Sequence, residues 1–81
     1  MVIRVKLFAA MSELAGRDCV EIALPDGAAV AELRRQLAAQ WPLIRTLLSR
    51  SAIAVNHDFA DNERVLQSTD EVAVIPPVSG G

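Results

Sequence analysis

The chain has 81 residues, is 52% hydrophobic and 22% charged, and carries a formal net charge of −2, which is the profile of one small globular domain. At this size folding buries only about 60–65% of the unfolded chain's surface, so a core forms but a deep enclosed active site does not. The weakly acidic balance excludes a basic nucleic-acid footprint, no stretch reaches the roughly 20 apolar residues that span a bilayer, and the single Cys19 and single His57 argue against a disulfide, a zinc site, or a cysteine or serine triad within one chain.

Met1-Val2-Ile3-Arg4-Val5-Lys6 places charges where a signal peptide needs an apolar run, which predicts a cytoplasmic location. From Val2 to Phe8, Ile3, Val5 and Leu7 alternate with Arg4 and Lys6, the period of a half-buried strand. Residues 9–15 read as a short helical turn closed by Gly16. Asp18 to Leu24 alternates again, and Pro25-Asp26-Gly27 marks a turn, so the two strands form an antiparallel pair. Val30, Leu33, Leu37 and Trp41 then fall at helical spacing until Pro42, which pushes the residue before it out of helical geometry. Glu32 stands where a capping box puts its glutamate, but Ala29 at the N-cap has no hydroxyl, leaving half the box missing.

Leu43, Ile44, Leu47 and Leu48 predict a second helical piece over 43–50. Ala52 to Val55 reads as a short strand and Asn56-His57-Asp58 as a turn. Residues 59–70 are polar and irregular, with room for one further short strand and with Leu66 as an inward anchor. Glu71 to Ile75 is the last strand, stopped by Pro76-Pro77. This order fits an α+β, β-grasp fold: a mixed sheet packed on one main helix, with residues 1–75 as the domain and 76–81 as an extended tail. A ferredoxin-like fold needs a second full helix before the last strand, which 59–70 are too polar to supply.

The chemistry points to the end of the chain, Pro76-Pro77-Val78-Ser79-Gly80-Gly81. The prolines favour an extended direction without hydrogen bonds, and six extended residues reach about 20 Å. Gly80 and Gly81 lack side chains, so the backbone there can thread a narrow channel. A free α-carboxylate is ionised and a poor electrophile, so chemistry at Gly81 needs activation, and adenylation by ATP on a partner enzyme is the direct route. Charge is uneven: residues 1–51 carry seven basic and five acidic side chains, residues 52–81 one basic and five acidic. The acidic half leads into the tail and suits either a basic partner or plain solvation.

With these residues the chain resembles the ubiquitin-like sulfur carriers, specifically the small subunits of molybdopterin synthase. Asp70 to Gly81 is close to that family's C-terminal signature, and Leu7-Phe8-Ala9, Glu13-Leu14-Ala15-Gly16, Val30 through Leu37 and Ala54-Val55-Asn56 add further matches. Ser12 stands where the family often has a basic residue, Thr69 where it often has glycine, and Ala29 where it often has a hydroxyl residue. The resemblance implies a Gly81 that is adenylated by an E1-like activating enzyme using ATP, then converted to a thiocarboxylate by a sulfur donor. It implies no cofactor bound to the chain itself, no metal, no nucleic acid and no membrane. It also implies a large catalytic synthase subunit that accepts the tail in a heterotetrameric complex, where sulfur converts cyclic pyranopterin monophosphate to molybdopterin. The carrier is then not an enzyme on its own. Rival readings are a carrier for thiamine or cysteine synthesis, a ubiquitin-like protein modifier, and a binding module with an inert tail. With Lys6 as the only lysine, self-linked chains are disfavoured.

Strand phase yields one more expectation. With Ile3, Val5 and Leu7 facing the helix, Phe8 points elsewhere; with Val72 and Val74 inward, so does Ile75. If the first and last strands are neighbours, Phe8 and Ile75, joined by Phe59, form an apolar partner patch beside the tail, with Pro76, Pro77, Val78, Ser79 and Gly80 continuing the contact. Cys19 reads as a partly buried small apolar residue, His57 as exposed in a turn, Arg34-Arg35 as a solvated helix face, and Asp58, Asp61 and Glu63 as loop solubilisers.

Overall fold

The N-terminal alternation becomes strand β1, Val2–Leu7, with Ile3, Val5 and Leu7 buried and Val2, Arg4 and Lys6 exposed. The computed structural model describes residues 1–77. Helix α1, Ala9–Ala15, turns the chain back and ends at Gly16, whose φ of 76° is the left-handed cap that glycine enters without strain. The Gly16 and Arg17 N–H groups donate to the Ser12 carbonyl at 2.9 and 3.2 Å, and the Ser12 hydroxyl bonds Asp18 at 2.6 Å. Strand β2, Cys19–Ala23, then runs antiparallel to β1, with Val5 opposite Val20 and Ile3 opposite Ile22.

Helix α2, Val30–Gln40, buries Val30, Leu33 and Leu37 against the sheet. Its N-cap, Ala29, makes no side-chain cap, as the missing hydroxyl requires. The open donors are satisfied from elsewhere: Val30 N–H donates to the Arg64 carbonyl at 2.9 Å and Ala31 N–H to the Asn62 carbonyl at 3.0 Å. Leu66 N–H returns a bond to the Ala28 carbonyl at 2.9 Å, and an isolated bridge joins Ala29 to Val65. The 61–66 loop therefore does the work of a capping side chain.

Trp41 leaves helical geometry, at φ −127° and ψ 70°, directly before Pro42. A single 3-10 turn, Pro42–Ile44, and helix α3, Arg45–Ser49, form the second helical piece and bury Ile44 and Leu48. Arg34 departs from the solvated face expected for it. Its guanidinium donates to the Leu48 carbonyl at 3.0 Å, the Ser51 carbonyl at 2.8 Å and Asn62 Oδ1 at 3.1 Å. One side chain thus ties α2 to the end of α3, to the chain entering the next strand, and to the capping loop. Arg35 does stay on the solvated face, paired with Glu32 at 2.7 Å.

Strands β3, Ala52–Val55, and β4, Asp58–Ala60, form a hairpin whose two turn residues, Asn56 and His57, have φ of 52° and 72°. Two positive φ values are what a tight hairpin turn matching the strand twist demands. Asp58 thus belongs to a strand rather than to the turn, and the irregular segment after it contains β4 as its one short strand. Strand β5, Val72–Ile75, lies between β1 and β3. The sheet order is β2-β1-β5-β3-β4, with β1 and β5 parallel and the remaining pairs antiparallel. Helices cover one face, where Leu66 is also buried. This is the β-grasp fold.

Candidate functional site

Because the helices gather on one face, the other face of the sheet stays open, and strand register dictates what it presents. Lys6 lies opposite Ala73, Ala73 opposite Ala54, and Ala54 opposite Phe59, so these residues form one row across four strands. Beside it, Ile75 sits opposite Ala52 at the end of β5, and Phe8 follows directly on the end of the parallel strand β1. The alanines are a low floor and the larger side chains are walls. The result is a shallow depression of about 310 Å³ lined by Phe8, Ala54, Phe59, Ala73 and Ile75, with Lys6, His57 and Glu71 at its rim.

Phe59 is 76% exposed and Phe8 46% exposed, whereas Ile75 is half-buried. Two exposed phenylalanines on an 81-residue domain that has no other phenylalanine are an unpartnered apolar surface. The rim is polar: Glu71 lies 3.1 Å from His57 Nε2 and 3.9 Å from Lys6 Nζ. A polar rim around an apolar centre is the usual anatomy of a protein–protein contact.

The rim at the start of β5 is braced by Asn56. Its side-chain amide donates to Asp70 at 3.0 Å, its side-chain oxygen accepts from Glu71 N–H at 2.9 Å, and its backbone N–H donates to the Glu71 carbonyl at 2.7 Å. Asp70 in turn accepts from Gln67 N–H at 2.8 Å. The β3–β4 turn is therefore locked to Asp70 and Glu71, the chain entering β5.

Pro76 is half-buried and Pro77 exposed where the chain leaves β5, next to Ile75. Val78, Ser79, Gly80 and Gly81 lie outside the described residues, so the residues expected to carry the chemistry are reached only as far as this root. Of the sequence candidates, Phe8, Phe59 and Ile75 are brought together on one face, with Pro76 adjoining. Cys19 is half-buried on the same face at the far end of the row, opposite Lys6, with its thiol 3.9 Å from the Val20 carbonyl. His57 is exposed in the turn, as expected, but also contacts Glu71. Asp61 does more than solubilise: its carboxylate accepts from Glu63 N–H at 3.1 Å and shapes the capping loop.

Sequence reasoning missed Ala54, Ala73, Lys6 and Glu71. The signal was present in phase, since Ala73 precedes Ile75 by two residues and Ala54 alternates with buried Ile53 and Val55, but alanine is uninformative on an open face.

A model of the ThiS family matches residues 5–81. The molybdopterin synthase sulfur carrier subunit of Dictyostelium discoideum is 40% identical over 81 residues, covering 96% of this chain and 94% of that protein. The protein of the same name from Escherichia coli K12 is 38% identical, with 98% and 99% covered. Among solved structures, SAMP1 from Haloferax volcanii superposes over 100% of both chains with a TM-score of 0.90 at 26% identity.

Proposed function

The chain belongs to the ThiS family, and we propose that it is the sulfur-carrying subunit of a molybdopterin synthase, a carrier rather than an enzyme on its own. Support comes first from relatives of that name at 38–40% identity over nearly the whole chain, which also favours this reading over a thiamine or cysteine pathway carrier or a protein modifier.

The carrier's own atoms contribute a terminus and a grip. The Gly81 carboxylate attacks ATP on an E1-like activating enzyme, pyrophosphate leaves, and the ionised acid becomes an acyl-adenylate that a sulfur nucleophile can attack. Sulfide-level sulfur from a donor attacks the acyl carbon, AMP leaves, and the terminus is then a thiocarboxylate. The tail then enters the large synthase subunit, where its sulfur bonds to a carbon of cyclic pyranopterin monophosphate and displaces an oxygen substituent. Water hydrolyses the resulting thioester, leaving the sulfur on the pterin and Gly81 as a carboxylate. Every group that binds nucleotide or pterin belongs to a partner in this scheme, and the proteins meet in the cytoplasm.

The single observation that carries the mechanism is the position of Ile75. It is both a wall of the apolar depression and the last strand residue before Pro76, so a partner that covers Phe8 and Phe59 receives the tail at a fixed starting point. Rigid docking at the root and reach in the tail together address Gly81 to a pocket about 20 Å away. To test it, the protein is incubated with an activating enzyme, ATP and a sulfur donor and weighed intact. Exchange of one oxygen for sulfur at Gly81 is expected, followed by loss of that sulfur when the large subunit and pterin are added. An unchanged mass under conditions that charge a known carrier overturns the proposal.

A further inference from the structure

Residues 33–57 contain four arginines, Arg34, Arg35, Arg45 and Arg50, and no aspartate or glutamate, in a chain that is acidic as a whole. This run covers α2 from Leu33 onward, α3 and β3, and Arg34, Arg35 and Arg45 line one concavity on the helical side, away from the sheet face that holds Phe8, Phe59 and Ile75. Between α2 and α3 lies a concavity of about 280 Å³ whose floor is Ala38 and Leu48 and whose edges are Arg34, Arg35, Arg45 and Ser49.

The charge that Arg34 brings to that rim is held in place and has no carboxylate partner among the described residues. All three acceptors of the Arg34 guanidinium are neutral, two backbone carbonyls and one side-chain amide, so they orient the cation without cancelling it. Among the described residues Arg35 alone of these arginines has a carboxylate partner, Glu32, and its side chain remains 71% exposed. Arg45 is exposed and pairs with no carboxylate among the described residues.

We propose that this groove between α2 and α3 is a second docking surface, which takes an acidic segment of a partner protein bearing an apolar anchor between carboxylates. Charge complementarity selects the sign of the partner, and the Ala38–Leu48 floor selects a peptide over a phosphate backbone, because it offers an aliphatic side chain a seat and offers a base no exposed aromatic to stack on. Since the groove lies on the helix layer and the tail leaves from the sheet face, both surfaces can be occupied together. The carrier can then be held by one protein while its terminus works in another. This inference does not depend on which sulfur pathway the tail serves.

The test uses the full chain and a blocked synthetic peptide of repeated Glu-Glu-Leu, followed through backbone amide shifts. Shift changes confined to α2 and α3 are expected, with affinity falling as salt is raised. The double variant R35E/R45E is expected to weaken binding by about tenfold or more, since it replaces two attractions with two repulsions. R35Q/R45Q is expected to fall between it and the parent, and serves if reversal beside Glu32 unfolds the helix. Phe8→Ala is expected to leave the affinity unchanged. The proposal is overturned if the shifts fall on the sheet face, if affinity survives both double variants, or if oligothymidylate binds the groove as tightly as the peptide. It is equally overturned if raising the protein concentration alone reproduces the shifts, which makes a second copy the occupant.

Discussion

Replacing Phe59 by alanine should separate partner binding from folding, because the exposure of this side chain sets both magnitudes. A phenylalanine taken wholly from water contributes about 1.5–3 kcal/mol. Phe59 keeps 76% of its surface exposed in the free carrier. About three quarters of that contribution, roughly 1.1–2.3 kcal/mol, is therefore still available to a partner, or about 6- to 50-fold in Kd. The quarter already buried limits the loss of folding stability to about 0.4–0.7 kcal/mol. Phe8, at 46% exposure, has less left to gain, and Phe8→Ala is expected to weaken binding by roughly 3- to 10-fold. The assay is calorimetric titration of each variant into the large synthase subunit, with urea midpoints measured alongside. Phe59→Ala should be the weaker binder and the nearly unperturbed folder. An unchanged Kd for both variants refutes the docking surface. Weakening that tracks loss of stability refutes the argument from exposure, since the residues would then act through the fold.

Arg34→Met should lower stability by about 2–3 kcal/mol, because the Leu48 and Ser51 carbonyls lose a charged donor, whereas Arg35→Met should change it by less than about 0.5 kcal/mol. Equal urea midpoints for the two variants contradict the bracing role. Asn56→Ala removes two side-chain hydrogen bonds and leaves an alanine at φ 52°, for a loss of about 2–3 kcal/mol. Asn56→Gly relieves the left-handed backbone and should recover roughly 1 kcal/mol of it; an alanine variant as stable as the glycine one would show that the turn adapts. Deleting Gly81 should abolish sulfur transfer while moving the urea midpoint no more than a surface substitution does, and a loss like that of a core mutation would place the terminus inside the folding unit.

The elements that were legible in the sequence are those whose side chains must alternate or recur. β1, β2 and β5 announce themselves by period two, and α2 by Val30, Leu33 and Leu37, because each buries one face and leaves the other wet. What was hidden rests on the main chain or on one long side chain. The Asn62 and Arg64 carbonyls that cap α2 belong to residues any amino acid could replace without changing that carbonyl, so the polar run around them carries no trace of its task. Strand β4 is three residues long, too short to show a period. Arg34 differs from Arg35 only in which way α2 turns it, and the carbonyls it reaches are supplied by chain 14 and 17 residues further on.

The site was legible through a break in the pattern. Leu7-Phe8 and Val74-Ile75 are adjacent apolar pairs where two strands end. A strand with a solvated outer face has no use for an apolar residue on that side, and burial of Leu7 and Val74 under the helices leaves Phe8 and Ile75 without a core to enter. Because β1 and β5 are parallel, both breaks fall at the same end of the sheet, which is also where the chain departs into Pro76 and Pro77. Had the two strands been antiparallel, the breaks would lie at opposite ends and mark nothing. The pairing direction therefore turns two local irregularities into one surface at the root of the tail. It is also the property that phase alone leaves open, since an alternating strand reads the same in either pairing direction.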